Sequence, residues 1–346
     1  MQIRFRVTLG VILITCTAWT PAVKAACSYA VSTPGPYMSA MGGNILLSIL
    51  TGSDCAWSVT GLPAWLSVSG NAQGTGPALV KLEATNNPGG PRDAVFAVAG
   101  VSVWARQFDT PACGVGFCSI RPVPHVAFGG EWTTDFFAVN PETHAGDWSI
   151  ALYGDSGSPV ALPFTGGLGN LNTVTDSVPA QGRKDYEAGN ATWPVQGGWA
   201  LVTSDETMAT EAIFRRATPN GTYYEAAVPT GETYSGFVVP FDVTTFAPTG
   251  APLYTGFAIA NLNPSVVAHV VCTARDDSGA VIPNALTIPT LNPMGHYANY
   301  LFPALAGKRG TLECYVDTLV SVIALRFIGT GAFSTLPVIV LNPGLD

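Results

Sequence analysis

"SIALYGDSGSPVALPF" at 149–164 and "VVCTARDDSGAVIPNALTI" at 270–288 follow one pattern, an apolar strand that runs into Asp-Ser-Gly and an apolar strand that leaves it. The pattern is not confined to this pair. "FFAVNPE" (136–142) recurs as "FAIANLNPS" (257–265), and "GGWALVTSDETMATEAIFR" (197–215) recurs as "RGTLECYVDTLVSVIALRF" (309–327). "NGTYYEAAVP" (220–229) recurs as "TGAFSTLPVI" (330–339). The offset is 121 to 123 residues early and 110 to 112 late, so the first copy carries about ten extra residues near 185–195. Two repeated units follow, 122–230 and 235–342.

The repeat gives Asp155-Ser156-Gly157 a structural reading as a hairpin turn, used again at Asp277-Ser278-Gly279. Asp and Ser bond their own backbone in turns, and Gly supplies the positive φ of a tight hairpin. The string GDSGSP also resembles the signature around the nucleophilic serine of trypsin-like proteases. That resemblance implies a histidine base far upstream, because two barrels contribute different triad members. Only His125 and His144 precede Ser156, at most 31 residues away. A serine without a base is an ordinary alcohol, so Ser156 is expected not to be catalytic. The repeat also aligns Cys272 with Ile150 and Cys314 with Val202. Both pairs are therefore expected to point inward and face each other across neighbouring strands.

Residues 1–25, "MQIRFRVTLGVILITCTAWTPAVKA", read as a secretory signal: Arg4 and Arg6, a short apolar run, Pro21 and a small-residue cleavage site. Lys24 stands where lipidation of Cys27 would need leucine. The remaining chain holds 12 basic against 23 acidic side chains, a net of −11. Such a surface offers nothing to nucleic acid or anionic lipid, and no later stretch is apolar enough for membrane insertion. Charged residues are 11%, while Gly numbers 38 and Pro 27, leaving little material for amphipathic helices and much for strands and turns. Cys27, Cys55, Cys113, Cys118, Cys272 and Cys314 survive cleavage, an even number in an exported chain. Sequence order suggests the disulfides 27–55, 113–118 and 272–314, among fifteen possible connectivities. His125, His144, His269 and His296 are scattered, so neither a metal site nor a cofactor is expected.

Before the repeats, residues 27–108 break into strand-length pieces at roughly ten-residue spacing, "ILLSIL" (45–50) and "VSVWARQ" (101–107) among them. "Cys55-Ala-Trp57", "Trp65-Leu-Ser-Val68", "Gly74-Thr-Gly76", "Asn86-Asn87", Arg92, "Val98-Ala-Gly100" and Gln107 fall in the order and spacing of the BACON domain, a bacterial immunoglobulin-like module that the segment resembles. The resemblance implies a β-sandwich, with glycan, mucin or protein as ligand. Trp65 and Trp104 are the aromatic candidates for stacking on a sugar, and Trp57 reads as core. The repeats resemble C-terminal β-modules of uncharacterised secreted bacterial proteins.

The expected fold is all-β: tandem immunoglobulin-like β-sandwich domains, a BACON-like one at 26–112, a linker at 113–121 and the two repeats. Glu131, Asp135, Glu142 and Asp147 could hold Ca²⁺ or act as a glycosidase pair, but carboxylates in loops of an acidic chain are more often solvated. Asp276-Asp277 reads as a turn before a calcium loop. Arg215 and Arg326 recur at equivalent strand ends and are expected to pair with nearby carboxylates. Asn190 and Asn220 open glycosylation sequons. The expected function is secreted, extracellular, non-enzymatic binding of glycan or of an extracellular matrix or cell-surface protein. The alternatives are a structural spacer and, remotely, a carbohydrate-active enzyme.

Overall fold

The computed structural model describes residues 26–108, 118–205, 208–283, 286–301, 303–329 and 331–342. The expected leader (1–25) and Cys113, half of an expected disulfide, lie outside them. Every regular element described is a strand, so the fold is all-β.

Residues 118–228 form two facing sheets. One orders the strands Cys118–Phe128, Gln196–Asp205, Gly146–Tyr153 and Thr173–Val178. The other carries Arg183–Ala188, Trp132–Val139, Ala209–Ala217 and Tyr223–Val228 side by side, with two short strands at its edge. Alternation explains the core between them. Along Gly146–Tyr153 every second residue is buried, which sends Trp148, Ile150 and Leu152 inward to meet Phe136 and Phe214.

The second repeat pairs its strands to the same plan. Arg309–Ile328, 20 residues long, does the work of two strands of the first copy. Its first half lies between Thr233–Asp242 and Val270–Asp276, and its second half lies between Ala251–Asn261 and Ala332–Leu336. Ile150 stands opposite Val202, and Cys272 stands opposite Cys314, as the alignment requires. Cys272–Cys314 and Cys27–Cys55 are disulfides. Even loop-closing side chains recur. Asn140 Nδ2 donates to the carbonyls of His144 and Val178, and Asn261 Nδ2 donates to those of Val266 and Asn292.

The N-terminal strands enclose a core of Ile45, Leu47, Ile49, Trp57, Leu82 and Phe96. Their sheet continues into the second repeat, because Tyr29–Thr33 pairs both with Gly43–Thr51 and with Thr233–Asp242. Tyr37, Trp104, Phe108, Trp199 and Leu262 fill the junction where the N-terminal strands and both repeats meet.

Candidate functional site

The two Asp-Ser-Gly segments form the same turn. Gly154 N–H donates to Ser158 O and Gly157 N–H to Gly154 O, matched by Asp276 N–H to Ala280 O and Gly279 N–H to Asp276 O. Ser156 is exposed, its Oγ accepts from Ser158 N–H at 3.4 Å, and no histidine is hydrogen-bonded to it among the described residues. The neighbouring Asp155 is different. Its Oδ1 lies 2.7 Å from His296 Nδ1, and its carbonyl accepts from His296 N–H at 3.1 Å. His296 Nε2 in turn lies 3.1 Å from His125 Nδ1. A carboxylate and two imidazoles, 141 and 171 residues apart in their pairings, thus form one chain across the boundary between the repeats.

Three local devices assemble it. His125 sits where the pairing of Cys118–Phe128 with Gln196–Asp205 slips between Val123 and Val126, a β-bulge that re-aims its side chain. His296 opens the strand His296–Tyr300 opposite Ala260, the position that Arg183 holds opposite Val139 in the first repeat. Arg183 is 59% exposed, whereas the His296 side chain is fully enclosed. The Asp155 turn is seated by Trp199, which stacks on Tyr153 and donates Nε1–H to Met294 O at 2.7 Å.

The chain borders a cavity of about 320 Å³ between the repeats. Trp132, Phe214, Phe257, Tyr300 and Phe327 supply apolar wall, and Asp155, Gln196, Asn299 and the two histidines supply polar groups. Tyr300 and Phe327 meet edge to face at 5.3 Å, and Tyr300 remains 47% exposed. Part of the His125 ring reaches the cavity, yet close protein packing and the neighbouring His296 push its pKa down to about 3, against a Gly198 backbone bond that acts the other way. His125 is therefore neutral at ordinary pH.

The aromatic candidates fare otherwise. Trp104 is only 4% exposed, wedged edge-on against Tyr37 with its Nε1–H on Asp93, so its ring is junction core and cannot take a sugar. Trp65 is half-buried, with the Arg92 guanidinium 4.6 Å over its face. Arg92 is held by Gln107 Oε1 at 2.9 Å and Thr85 O at 3.1 Å, so that face is already occupied. Trp57 is core, as expected, its Nε1–H on Gly76 O.

The four early carboxylates do not converge on one point. Glu131 pairs with Arg216, Glu142 sits in a bend, Asp147 is an exposed residue of the strand Gly146–Tyr153, and Asp135 is buried beside Arg215 in the sheet. Among the described residues no group of three or more His, Cys, Asp or Glu could share an ion. Asp276 is committed to its own turn, accepting from Ser278 N–H, Ser278 Oγ–H and Ala280 N–H, which holds its carboxyl below the usual range. Asp277 pairs with Arg309. Arg215 bridges Glu187 and Glu225, and Arg326 lies 3.6 Å from Asp242.

Asp135 carries a prediction of its own. Its Oδ1 is buried without a partner, and desolvation, reinforced by Asp185, raises its pKa. A folded-state pKa above the unfolded value makes the native state less stable as pH rises through the carboxylate range, while below it both states are protonated and nothing is lost. Asp135→Asn is expected to stabilise the protein at pH 7, with the gain shrinking as pH falls through the carboxylate range. Thermal unfolding of both proteins across that range checks it.

No family model matches this chain, and no curated protein is detectably similar to it.

Proposed function

We propose that the chain is an exported, non-enzymatic glycan-binding protein, and that the cavity between the repeats receives a terminal sugar. The observation that carries this reading is the pairing of an aromatic wall with a short row of polar groups. A pyranose has an apolar C–H face and a rim of hydroxyls. Tyr300 offers a π-face to the first, with Trp132 behind it under the Arg216 guanidinium, and Asp155 and Asn299 offer acceptors and a donor to the second. The volume falls at the small end of the range typical of small-molecule pockets, about 300–1,000 Å³. The two described disulfides fit an oxidising compartment. Among the described residues no helix is long and apolar enough to cross a membrane. The N-terminal strands, BACON-like by resemblance, would serve as a brace and spacer, since their two candidate tryptophans are occupied.

The Asp155–His296–His125 chain also suits proton relay. A hydrolytic reading would make Asp155, or a water activated by this chain, the nucleophile, since the described lining residues include no serine, threonine or cysteine.

A glycan screen of the full chain, with matrix proteins as a second panel, tests the proposal. Tyr300→Ala removes an exposed ring and should weaken the best glycan about five- to tenfold while Trp65→Ala leaves it unchanged, in line with aromatic stacking of about 1–1.5 kcal/mol. Absence of any glycan ligand, or loss of binding through Trp65→Ala alone, would reject it.

A further inference from the structure

We propose that His125 Nδ1 and His296 Nε2 form a mononuclear site for a divalent late transition ion, Cu²⁺ or Zn²⁺, open toward the cavity. The inference is independent of whether a glycan binds.

The two nitrogens lie 3.1 Å apart. Metal–imidazole bonds of about 2.0–2.1 Å to both would subtend about 100° at the ion, a natural angle for tetrahedral or tetragonal coordination. A hydrogen bond explains that separation equally well, so distance alone decides nothing. The surroundings favour the ion. His296 turns its other nitrogen, Nδ1, to Asp155 Oδ1 at 2.7 Å, the carboxylate–imidazole support that commonly fixes the tautomer and orientation of a ligating histidine. With Nδ1 carrying the proton, the Nε2 lone pair points at His125. Backbone geometry reinforces this, because His296 N–H is bonded to the carbonyl of the same aspartate. The His125 ring is held edge to face against Phe214 at 5.3 Å.

The comparison between repeats supplies the second argument. At the position of His296 the first repeat carries an exposed arginine, and His125 is displaced by a bulge at Val123–Val126. Two separate departures from the shared plan bring two imidazoles to one point. A buried histidine pair with no further role would need neither. Two protein ligands leave the remaining coordination positions to water or to a hydroxyl or carboxylate of a cavity ligand. Imidazole nitrogen selects Cu²⁺ and Zn²⁺ over Ca²⁺ and Mg²⁺.

The test is calorimetric titration of the chelator-stripped full chain with CuCl₂, ZnCl₂ and CaCl₂, together with electron paramagnetic resonance of the copper form. One tight Cu²⁺ or Zn²⁺ per chain is expected, no Ca²⁺, and nitrogen hyperfine structure from two imidazoles. His125→Ala and His296→Ala should each weaken binding at least 100-fold, and Asp155→Asn by about 10–100-fold. His269→Ala, at an exposed histidine paired with Asp317, should change nothing. The copper spectrum of the unaltered protein keeps the test valid even if a histidine variant fails to fold. No stoichiometric binding, a copper spectrum without two-imidazole coupling, or undiminished binding by a folded His125→Ala chain would overturn the proposal.

Discussion

Gly157→Ala is expected to destabilise the protein by at least about 3 kcal/mol, and Gly279→Ala, at the equivalent turn, by about 1–2 kcal/mol. Both glycines have positive φ, +86° and +83°, so both substitutions carry the same left-handed backbone strain. Their surroundings differ. A Cβ at Gly157 would stand 2.0 Å from Pro293 O and about 3 Å from the backbone of Met294 and Gly295, whereas a Cβ at Gly279 meets nothing within 4 Å. The atoms in the way are backbone, fixed in turn by Trp199 on Met294 O. The first turn would have to lift off the second repeat, separating Asp155 from His296 and opening the cavity. Denaturant melts of the two variants measure the difference. Equal losses would mean that the Asp155 turn is not docked as described.

The second large effect concerns Cys272–Cys314. Removing this disulfide as Cys272→Ala/Cys314→Ala is expected to cost about 4 kcal/mol on the chain-entropy model for its 42-residue separation, with a further loss from the space left around the buried Cys314. The first repeat shows what can fill that space. Cys272→Ile/Cys314→Val copies Ile150 and Val202, so it should recover the packing part and leave the cross-link part lost. The double-alanine and the isoleucine–valine proteins, melted side by side, separate the two contributions. An isoleucine–valine protein no more stable than the double-alanine one would contradict the equivalence of the two positions.

Much of the framework was legible because it rests on short-range rules. The repeat alignment placed Ile150 and Val202 inward, and the recurrence of Asp-Ser-Gly marked a hairpin in both copies. The repeat alignment also predicted the cross-strand partners Ile150–Val202 and Cys272–Cys314, since a one-residue slip would turn each strand's apolar set outward. The site was not legible. In the sequence Asp155 reads only as a turn residue, because its partner lies 141 residues away, and no local periodicity encodes a contact between one unit's turn and another unit's strand. A signal was present nonetheless: "GRKDYEA" at 182–188 aligns with "GHYANY" at 295–300, and an arginine exchanged for a histidine breaks the repeat at that point. Trp104 misled for a related reason. Its strand alternates normally, but the face that would otherwise meet solvent is covered by Tyr37 and Trp199.

The central claim is that the Asp155 turn of the first repeat and His296 of the second act as one site. A double-mutant cycle measures this most directly, using the unfolding free energies of Asp155→Asn, His296→Gln and the double variant. Contacting partners typically couple by about 0.5–3 kcal/mol, and the 2.7 Å contact to a fully enclosed imidazole predicts a coupling energy of about 1 kcal/mol or more. Additivity within about 0.3 kcal/mol would show that the two residues do not meet in solution, and the site built on their contact would fall with it.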